Sequence, residues 1–360
     1  MVPARVAIVG TGNIARYHVA ALRSLTGEAE VVAAADIEPG SLTAFCTEHG
    51  VRWRCGSVPE LLREARPDLV HLCTPPALHC EQALACLQAG VSVLSEKPPA
   101  LSLAELDRLA AAEGKDGGPW FATVFQHRFG SGAHRLRALA GAGVLGRPLL
   151  AICHTTWFRD QAYFDVPWRG RWESEGGGPT MGHGIHQLDL MLSVLGEWDE
   201  VTAVVRKQAR QVETEDLSLA HVIFASGAAA SVVNSVLSPR EESYLRFDFE
   251  HATVELTHLY GYGDGDWRVT PAPGHEREVL DAWKAGESGV VSDHRAQFAE
   301  VLRFLREGHP PPVTLAESRR TLSLVTAIYA AAFTGRPVRV AELGPGSPFY
   351  QRMDGDGARW

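Results

Sequence analysis

A glycine-rich turn near the start of the chain has the residue types and spacing that bind a phosphate group. Residues 10–15 are Gly-Thr-Gly-Asn-Ile-Ala, and they lie between a predicted strand and a predicted helix. The first glycine allows a tight turn, the second lets the main chain approach a pyrophosphate, and Ala15 packs the helix on the strand. Free N–H groups at the helix start then face the phosphates. The residues assigned to the cofactor here are Gly10, Thr11, Gly12, Asn13 and Ile14.

An acidic residue, Asp36, ends the second predicted strand, 24 residues after Gly12. A carboxylate in this place accepts both hydroxyls of the adenosine ribose and repels a 2′-phosphate, so the pattern favours NAD over NADP. Asp36 could instead cap the helix that is predicted to begin near Pro39. The glycine turn upstream favours the cofactor role, and NAD is the cofactor that we expect.

Two further polar segments follow predicted strands of the same domain. One is Thr74-Pro75-Pro76 with His79, and the other is Glu96-Lys97-Pro98. Because ligands of open α/β sheets bind outside the carboxyl ends of the strands, both segments are expected near the nicotinamide half of the cofactor. His79 is equally compatible with the exposed start of a helix. The expected cofactor contacts are Thr74, Pro75, His79, Glu96 and Lys97.

The elements that must position these residues alternate between strand and helix patterns. Short apolar runs predict strands at 6–9, 31–35, 69–73, 91–94 and 121–125. Amphipathic patterns predict helices at 13–25, 39–49, 57–65, 77–89 and 102–113. Almost wholly apolar strands are typical of parallel sheets that are covered on both faces. The alternation predicts an α/β domain with a doubly wound parallel sheet, a Rossmann domain, over residues 1–126.

The pattern changes after about residue 126. Helices are predicted at 130–140, 184–195, 293–306 and 316–332. Strands are predicted at 201–207, 217–225, 229–237, 244–249 and 252–257. Consecutive strands with turns between them predict a largely antiparallel sheet in an α+β domain over residues 127–345, followed by a tail at 346–360.

Composition and charge exclude several classes of protein. The 360 residues carry a formal net charge of -9, and no run of lysine or arginine marks a nucleic-acid-binding face. The six cysteines form no Cys-x-x-Cys pair and are expected to be reduced, buried thiols. No apolar stretch has membrane-spanning length, and no signal-peptide pattern precedes the first strand. We expect a cytoplasmic enzyme that handles small molecules, with no nucleic-acid or membrane partner.

The motifs together resemble the Gfo/Idh/MocA oxidoreductase family. The resemblance rests on the glycine turn with His18, residues 74–79, Glu96-Lys97-Pro98, Gly176-Gly177-Gly178 and Gly184-Ile185-His186-Gln187-Leu188-Asp189. It covers the chain to about residue 340, in the family's order and spacing. It implies a nicotinamide-dependent dehydrogenase or reductase of a sugar, cyclitol or related polyol. It also implies an open, mostly antiparallel sheet in a substrate domain that packs into dimers or tetramers.

The resemblance also assigns residues, position by position. It implies that Lys97 is the active-site lysine and His186 the active-site histidine. It further implies that Trp168, Arg169 and Arg128 lie near the cofactor or the substrate.

One position departs from the family's pattern. Many dehydrogenases of the family carry an aspartate four residues before the histidine, but this position is Gly182, and His183 follows it. The resemblance therefore supplies no carboxylate that would orient His186.

Oxidation of a secondary alcohol needs a hydride acceptor, a base, and a group that stabilises the alkoxide. The ammonium of Lys97 would favour the alkoxide, and His186 titrates near neutrality. Two assignments stay open. Either His186 is the base, assisted by His183, or Lys97 takes the proton and the two histidines bind hydroxyls. His183, His186 and Asp189 share a helix face, but no further metal ligand has obvious spacing, so we expect no metal. Asp189 could instead pair with an arginine.

An aromatic and basic loop lies at residues 157–172 and includes Tyr163, Trp168 and Arg169. Such a loop can form a wall for a sugar ring through stacking and hydroxyl hydrogen bonds, or it can pack at a subunit interface. The expected substrate contacts are Lys97, Arg128, Tyr163, His183 and His186.

Two other functions are compatible with the same motifs. One is an NAD-assisted lyase or glycosidase, in which transient oxidation acidifies a neighbouring C–H, elimination follows, and NAD is regenerated. The other is an NAD-binding regulator that has no catalytic activity.

Overall fold

The computed structural model describes residues 2–114, 117–358 and 360 of the chain. The described residues form two compact units. The first contains the chain up to residue 100 together with 104–124 and 294–319, and the second contains 101–103, 125–293 and 320–360.

The first unit contains a six-stranded parallel sheet. Its strands are β1 (Ala4–Val9), β2 (Ala29–Ala35), β3 (Trp53–Cys55), β4 (Leu69–Leu72), β5 (Ser92–Ser95) and β6 (Phe121–Thr123). The connecting helices are α1 (Asn13–Ser24), α2 (Pro39–Glu48), α3 (Val58–Ala65), α4 (His79–Gln88) and α5 (Leu103–Ala112). The strand order β3-β2-β1-β4-β5-β6 confirms the doubly wound sheet that the sequence predicts. β3 was not predicted, because three residues are too few to show a periodic pattern.

The second unit contains an eight-stranded mixed sheet. Its strands are β7 (Pro148–Phe158), β8 (Trp198–Arg206), β9 (Leu217–Phe224), β10 (Ala229–Ser235), β11 (Leu237–Phe249), β12 (Ala252–Thr257), β13 (Trp267–Pro271) and β14 (Val338–Arg339). The strand order is β13-β12-β11-β7-β10-β9-β8-β14. β7 and β10 are parallel and every other neighbouring pair is antiparallel, which confirms the mostly antiparallel sheet.

The remaining helices complete the described chain. They are α6 (Ser131–Gly141), α7 (Gln161–Phe164), α8 (Trp172–Glu175), α9 (Ile185–Leu195), α10 (Glu276–Ala285), α11 (His294–Glu307), α12 (Leu315–Thr334) and α13 (Pro348–Gln351). A π-helical turn at Thr180–Gly184 leads directly into α9. The segment expected as a tail contains α13, whose Phe349 and Tyr350 are buried. No described helix is both long enough and apolar enough to cross a membrane.

The helix α11 belongs to the first unit although it lies far along the chain. It packs on α1, and its Phe298, Val301 and Leu302 join the same apolar core as Val19 and Leu22 of α1. Burying large apolar side chains in this way stabilises the sheet layer by about 1.5–3 kcal/mol for each side chain. The first unit is therefore completed by a segment that follows residues 125–293 of the second unit in the chain.

One face of the second sheet carries exposed apolar side chains. Leu219 pairs with Val204 across β9 and β8, while Ile223 and Leu150 both lie opposite Ala229. Four of these side chains, Leu150, Val204, Leu219 and Ile223, are between 40% and 44% exposed. Their alternation with buried neighbours along β9 shows that the sheet is covered by its own chain on the opposite side.

A buried carboxylate supports the triple-glycine turn before the π-helical turn. Glu215 Oε2 accepts the N–H of Gly178 at 2.9 Å, and Oε1 accepts the N–H of Thr180 at 3.1 Å and the Tyr329 hydroxyl at 2.9 Å. A β-carbon on Gly178 would lie 1.9 Å from the Glu215 carbonyl oxygen, so only glycine permits this approach. Burial raises the pKa of Glu215 to about 7, although these hydrogen bonds lower it in part.

Glu215 should make stability depend on pH. Because its ordinary pKa of 4.5 is raised to about 7 by folding, the folded state binds the proton more tightly across this window. Its contribution to stability is fully present below pH 4.5 and is lost as pH rises through about 7. We expect Glu215→Gln, which cannot ionise, to gain stability relative to the wild type as pH rises from 5 to 8. Urea unfolding at several pH values measures this, and a constant difference between the two proteins would contradict it.

Candidate active site

The glycine turn lies at the carboxyl end of β1. Gly10 has φ +87°, and a β-carbon there would lie 2.9 Å from the main chain of Cys73 at the end of β4. Gly12 is the N-cap of α1, no side chain caps it, and a β-carbon on it would meet nothing within 4 Å. The helix start therefore leaves main-chain N–H groups beside open space, which fits a phosphate of a dinucleotide.

Asp36 lies beside this turn at the end of β2. Its Oδ2 accepts both the N–H and the hydroxyl of Thr11 at 2.7 Å, and Oδ1 accepts the Glu38 N–H at 2.9 Å. Partial burial raises the pKa of Asp36, but these hydrogen bonds lower it more, so that the net pKa is below the usual value. The carboxylate is thus ionised and links the turn to the start of α2. Asp36 thus accepts the N–H of Glu38, the residue before α2, and its contact with the ribose stays a prediction.

The segment after β4 is tied to the segment after β5 by His79. Its ring is completely buried, with Nε2 2.8 Å from the carbonyl oxygen of Thr74 and Nδ1 2.8 Å from that of Pro98. The ring is therefore not at an exposed helix start, and it supports the two segments rather than offering a nitrogen to a ligand. Thr74 donates its hydroxyl to Gln82 at 2.6 Å, and Pro75 beside it is half-buried.

Lys97 lies two residues after Ser95, the last residue of β5, at the same edge of the sheet. It is half-buried, whereas Glu96 and Pro98 on either side are buried. Its N–H donates to Glu96 Oε2 at 3.2 Å. These neighbours exclude a freely solvated surface loop and fix the main chain from which the lysine side chain extends.

Glu96 belongs to a buried group that the sequence did not reveal, the Glu96 cluster (His18, His71, Glu96 and His294). His18 Nε2 lies 3.0 Å from Glu96 Oε1, and His294 Nε2 lies 3.5 Å from the same oxygen. His18 Nδ1 lies 3.0 Å from His71 Nδ1, and Phe298 packs edge-on against all three rings. His18 and Glu96 lie in separate motifs, whereas His71 and His294 lie in none, and His294 is distant in the chain, so no local pattern could have joined the four residues.

The Glu96 carboxylate is ionised in this cluster. Burial raises its pKa, but the hydrogen bonds and charges of His18 and His294 lower it well below the usual value. An ionised carboxylate only accepts hydrogen bonds, so His18 donates to it from Nε2. Ligand atoms of His18, Glu96 and His294 lie within 4.8 Å of one another, which a metal ion would also accept. The hydrogen bonds already account for this spacing.

In the second unit, the π-helical turn and α9 bring the two histidines into a buried aromatic environment. His183 and His186 are 7% and 4% exposed. The Tyr163 hydroxyl lies 3.4 Å from His183 Nε2, which groups two of the expected substrate contacts. The ring of His186 lies 4.8 Å from that of His127, a residue that the sequence analysis missed although it precedes Arg128.

Asp189 and Arg128 form a buried ion pair. Arg128 Nη2 donates to Asp189 Oδ1 at 2.6 Å, and the Thr321 hydroxyl donates to the same oxygen at 3.0 Å. The pairing of Asp189 with an arginine is thus what the structure shows. Arg128, expected near cofactor or substrate, is directed at α9 and holds the helix that carries His186.

The aromatic and basic loop is internally stacked. The Arg169 guanidinium lies 3.9 Å from the centre of the Tyr163 ring and 4.4 Å from that of Trp168, and it donates to the Tyr163 hydroxyl. Trp168 and Arg169 are half-buried. Cation–π contacts of this kind hold the loop in one arrangement and keep its polar edges oriented.

Two family models match the chain. The one described as "Oxidoreductase family, NAD-binding Rossmann fold" matches residues 4–122, and the "GFO/IDH/MocA C-terminal domain" matches residues 133–257.

Similar proteins extend over nearly the whole chain. D-glucoside 3-dehydrogenase of Escherichia coli (strain K12) is 27% identical, over 94% of this chain and 98% of that protein. 1,5-anhydro-D-fructose reductase of Ensifer adhaerens is 27% identical, over 92% of this chain and 97% of that protein. The WlbA dehydrogenase of Bordetella pertussis, crystallised with NADH and UDP-GlcNAcA, has a TM-score of 0.81 at 27% identity, covering 94% of this chain and 98% of that one. The chain therefore belongs to the Gfo/Idh/MocA family of oxidoreductases and has an NAD-binding Rossmann domain.

Proposed function

We propose that this protein transfers a hydride between NAD(H) and a secondary alcohol or ketone of a sugar, cyclitol or similar polyol. The names of its relatives support this substrate class: they include a glucoside dehydrogenase and an anhydrofructose reductase. Lys97 and His186 are the proposed catalytic residues.

The observation that carries the proposal is the fixed position of Lys97 at the sheet edge that also bears the glycine turn. The carboxyl ends of β1, β2 and β5 lie along one edge because these strands are parallel. In open α/β sheets this edge is where ligands bind. Glu96 and His79 hold the main chain on both sides of Lys97, which fixes the point from which the lysine side chain extends.

The chemistry divides between the cofactor and the chain. Bound NAD supplies the carbon that accepts or gives the hydride. The Lys97 ammonium stabilises the negative charge that develops on the substrate oxygen. His186 exchanges the hydroxyl proton, and His183 with Tyr163 hydrogen-bonds neighbouring hydroxyls. Trp168 and Arg169 form a wall for the substrate or the cofactor.

The cofactor contacts are proposed from the same geometry. Gly10, Thr11, Gly12, Asn13 and Ile14 surround the start of α1, Asp36 accepts ribose hydroxyls, and Thr74 and Pro75 complete the edge with Lys97. Glu96 is proposed to support this edge, because its carboxylate is held within the Glu96 cluster. His79 and Arg128 are proposed as supporting residues, because their polar atoms are directed at other parts of the protein.

Removal of either catalytic side chain should abolish most turnover. We expect Lys97→Ala and His186→Ala each to reduce kcat by at least ~100-fold, the usual scale of general acid–base contributions. Initial rates with NAD and a panel of sugars, cyclitols and keto-sugars measure this through the absorbance of NADH. Lys284→Ala and His309→Ala, which remove an exposed lysine and an exposed histidine, are the matched controls.

Near-wild-type turnover of either catalytic variant would contradict its assignment. Product formation without net NADH would favour the lyase or glycosidase chemistry. Tight NAD binding without turnover of any substrate in the panel would favour a regulator.

Asp36 should set the preference between the two nicotinamide cofactors. We expect Asp36→Asn, which keeps an acceptor for Thr11 but removes the charge, to lower the ratio of kcat/KM for NAD over NADP by at least ~10-fold, since a 2′-phosphate is no longer repelled. Parallel kinetics with both cofactors measure the ratio. Glu38→Gln removes a neighbouring exposed charge and should leave it unchanged. An unaltered ratio in Asp36→Asn would show that this carboxylate does not select the cofactor.

We also propose that the exposed apolar face of the second sheet joins two copies of the chain in a homodimer or a homotetramer. Neighbouring exposed apolar side chains are unusual on a monomer, and this face of β7, β8 and β9 presents four of them, Leu150, Val204, Leu219 and Ile223. The cytoplasmic location expected from the sequence stays a prediction.

A charge on this face should separate the subunits. We expect Leu219→Glu to shift the protein to monomers, because the carboxylate would be buried without a partner. Light scattering after size exclusion gives the mass, and Val2→Glu, at an exposed apolar residue outside the sheet, is the control. A monomeric wild type, or an unchanged mass of Leu219→Glu, would contradict the interface.

A further inference from the structure

The space beside Gly182 is filled by the carboxylate of another residue. A β-carbon at position 182 would lie 3.4 Å from Glu175 Oε1. Glu175 is the last residue of α8 and is 5% exposed. The carboxylate of Glu175 thus lies in contact with the position that the β-carbon of residue 182 would occupy.

This position lies one helical turn before His186. Residue 182 lies within the π-helical turn at Thr180–Gly184, which leads directly into α9 and His186. A negative charge beside residue 182 therefore lies four residues before His186 in the same continuous helical segment.

The two oxygens of Glu175 have different surroundings. Oε2 accepts the Gly170 N–H at 2.6 Å, which ties the carboxylate to the loop. Oε1, the oxygen nearest to residue 182, lies 3.7 Å from Arg169 Nη1. Oε2 thus anchors the side chain on the loop, and Oε1 lies beside residue 182 and Arg169.

A chain of polar contacts continues from Arg169. Its guanidinium donates to the Tyr163 hydroxyl, and this hydroxyl lies 3.4 Å from His183 Nε2. Glu175 is therefore linked to His183 through Arg169 and Tyr163, and it also lies beside residue 182, four residues before His186.

We propose that Glu175 is a positioning residue for His186, and that its carboxylate supplies from outside the helix the negative charge that Gly182 cannot carry. The proposal rests on the proposed catalytic role of His186. A carboxylate in this place stabilises the imidazolium that forms when the histidine accepts the substrate proton, and thereby makes the histidine a stronger base.

Other groups also face this region. His127 and Tyr260 pack against the His186 ring, Tyr163 and Trp157 against the His183 ring, and Arg128 is paired with Asp189 on the same helix. A change that removes only the charge of Glu175 leaves all of these in place, so its effect can be separated from theirs.

The experiment replaces the carboxylate by an amide of the same shape. We expect Glu175→Gln, which can still accept the Gly170 N–H, to move the acidic limb of the kcat/KM profile in the oxidation direction down by about one pH unit. We also expect kcat to fall about tenfold. Glu173→Gln removes an exposed carboxylate of the same helix and should move neither.

A second variant returns the charge to the helix. We expect Glu175→Gln combined with Gly182→Asp to restore the acidic limb and most of kcat. Glu175→Gln combined with Gly182→Ala is the control for added bulk, and it should restore neither. If Gly182→Asp restores the profile and Gly182→Ala does not, the charge is required, and a purely structural role of Glu175 would not produce this difference.

Two results would overturn the proposal. One is a pH profile of Glu175→Gln that matches the wild type. The other is a displaced profile that Gly182→Asp restores no better than Gly182→Ala. His186→Ala distinguishes this failure from a failure of the proposed function. Wild-type turnover of His186→Ala would contradict the catalytic role of His186 itself. A large loss of turnover in His186→Ala would support that role, so that only the proposed role of Glu175 would be contradicted.

Discussion

The first unit depends on the solvation of one buried charge, the carboxylate of Glu96. An ionised carboxylate removed from water is costly unless donors surround it. Here His18 of α1 and the N–H of Lys97 donate to it, and His294 of α11 lies 3.5 Å from the oxygen that accepts from His18. Because these groups come from distant parts of the chain, the position of the lysine is fixed only when all of them are in place. The need to satisfy Glu96 thus couples the cofactor motif, the lysine segment and the returning helix.

The second unit uses the same principle at its glycine-rich turns. Glu215 accepts two main-chain N–H groups of the triple-glycine turn, and Glu175 accepts the N–H of Gly170. Glycines let the main chain come close enough to a buried acceptor, and the acceptor in turn holds a chain that has little conformational preference of its own. The two features depend on each other. Without the carboxylate, nothing would hold the turn in one conformation, and without glycine, the N–H groups could not reach the carboxylate.

This dependence explains what the sequence could and could not predict. The turn at Gly10 and the strands of the first unit other than β3 depend on local patterns, a glycine at a helix start and apolar runs, and they were predicted. β7 was missed because its buried face carries only Ala151, Cys153 and Thr155, which give no strong apolar alternation. The Glu96 cluster, His127 beside His186, and the return of α11 depend on residues that are far apart in sequence, and no periodicity records such pairs.

Residue 182 shows that prediction from sequence has the same limit for the chemistry of a site. A motif describes which side chain the helix itself carries, so a glycine there indicates a missing carboxylate. What His186 requires, however, is a negative charge in a given place, and any residue that reaches this place can supply the charge. The space left by an absent side chain is open to a neighbour, and Glu175 enters it from α8 with one oxygen anchored on Gly170. An electrostatic environment can therefore persist through the exchange of two positions that lie seven residues apart, and only the folded structure shows that they share one place.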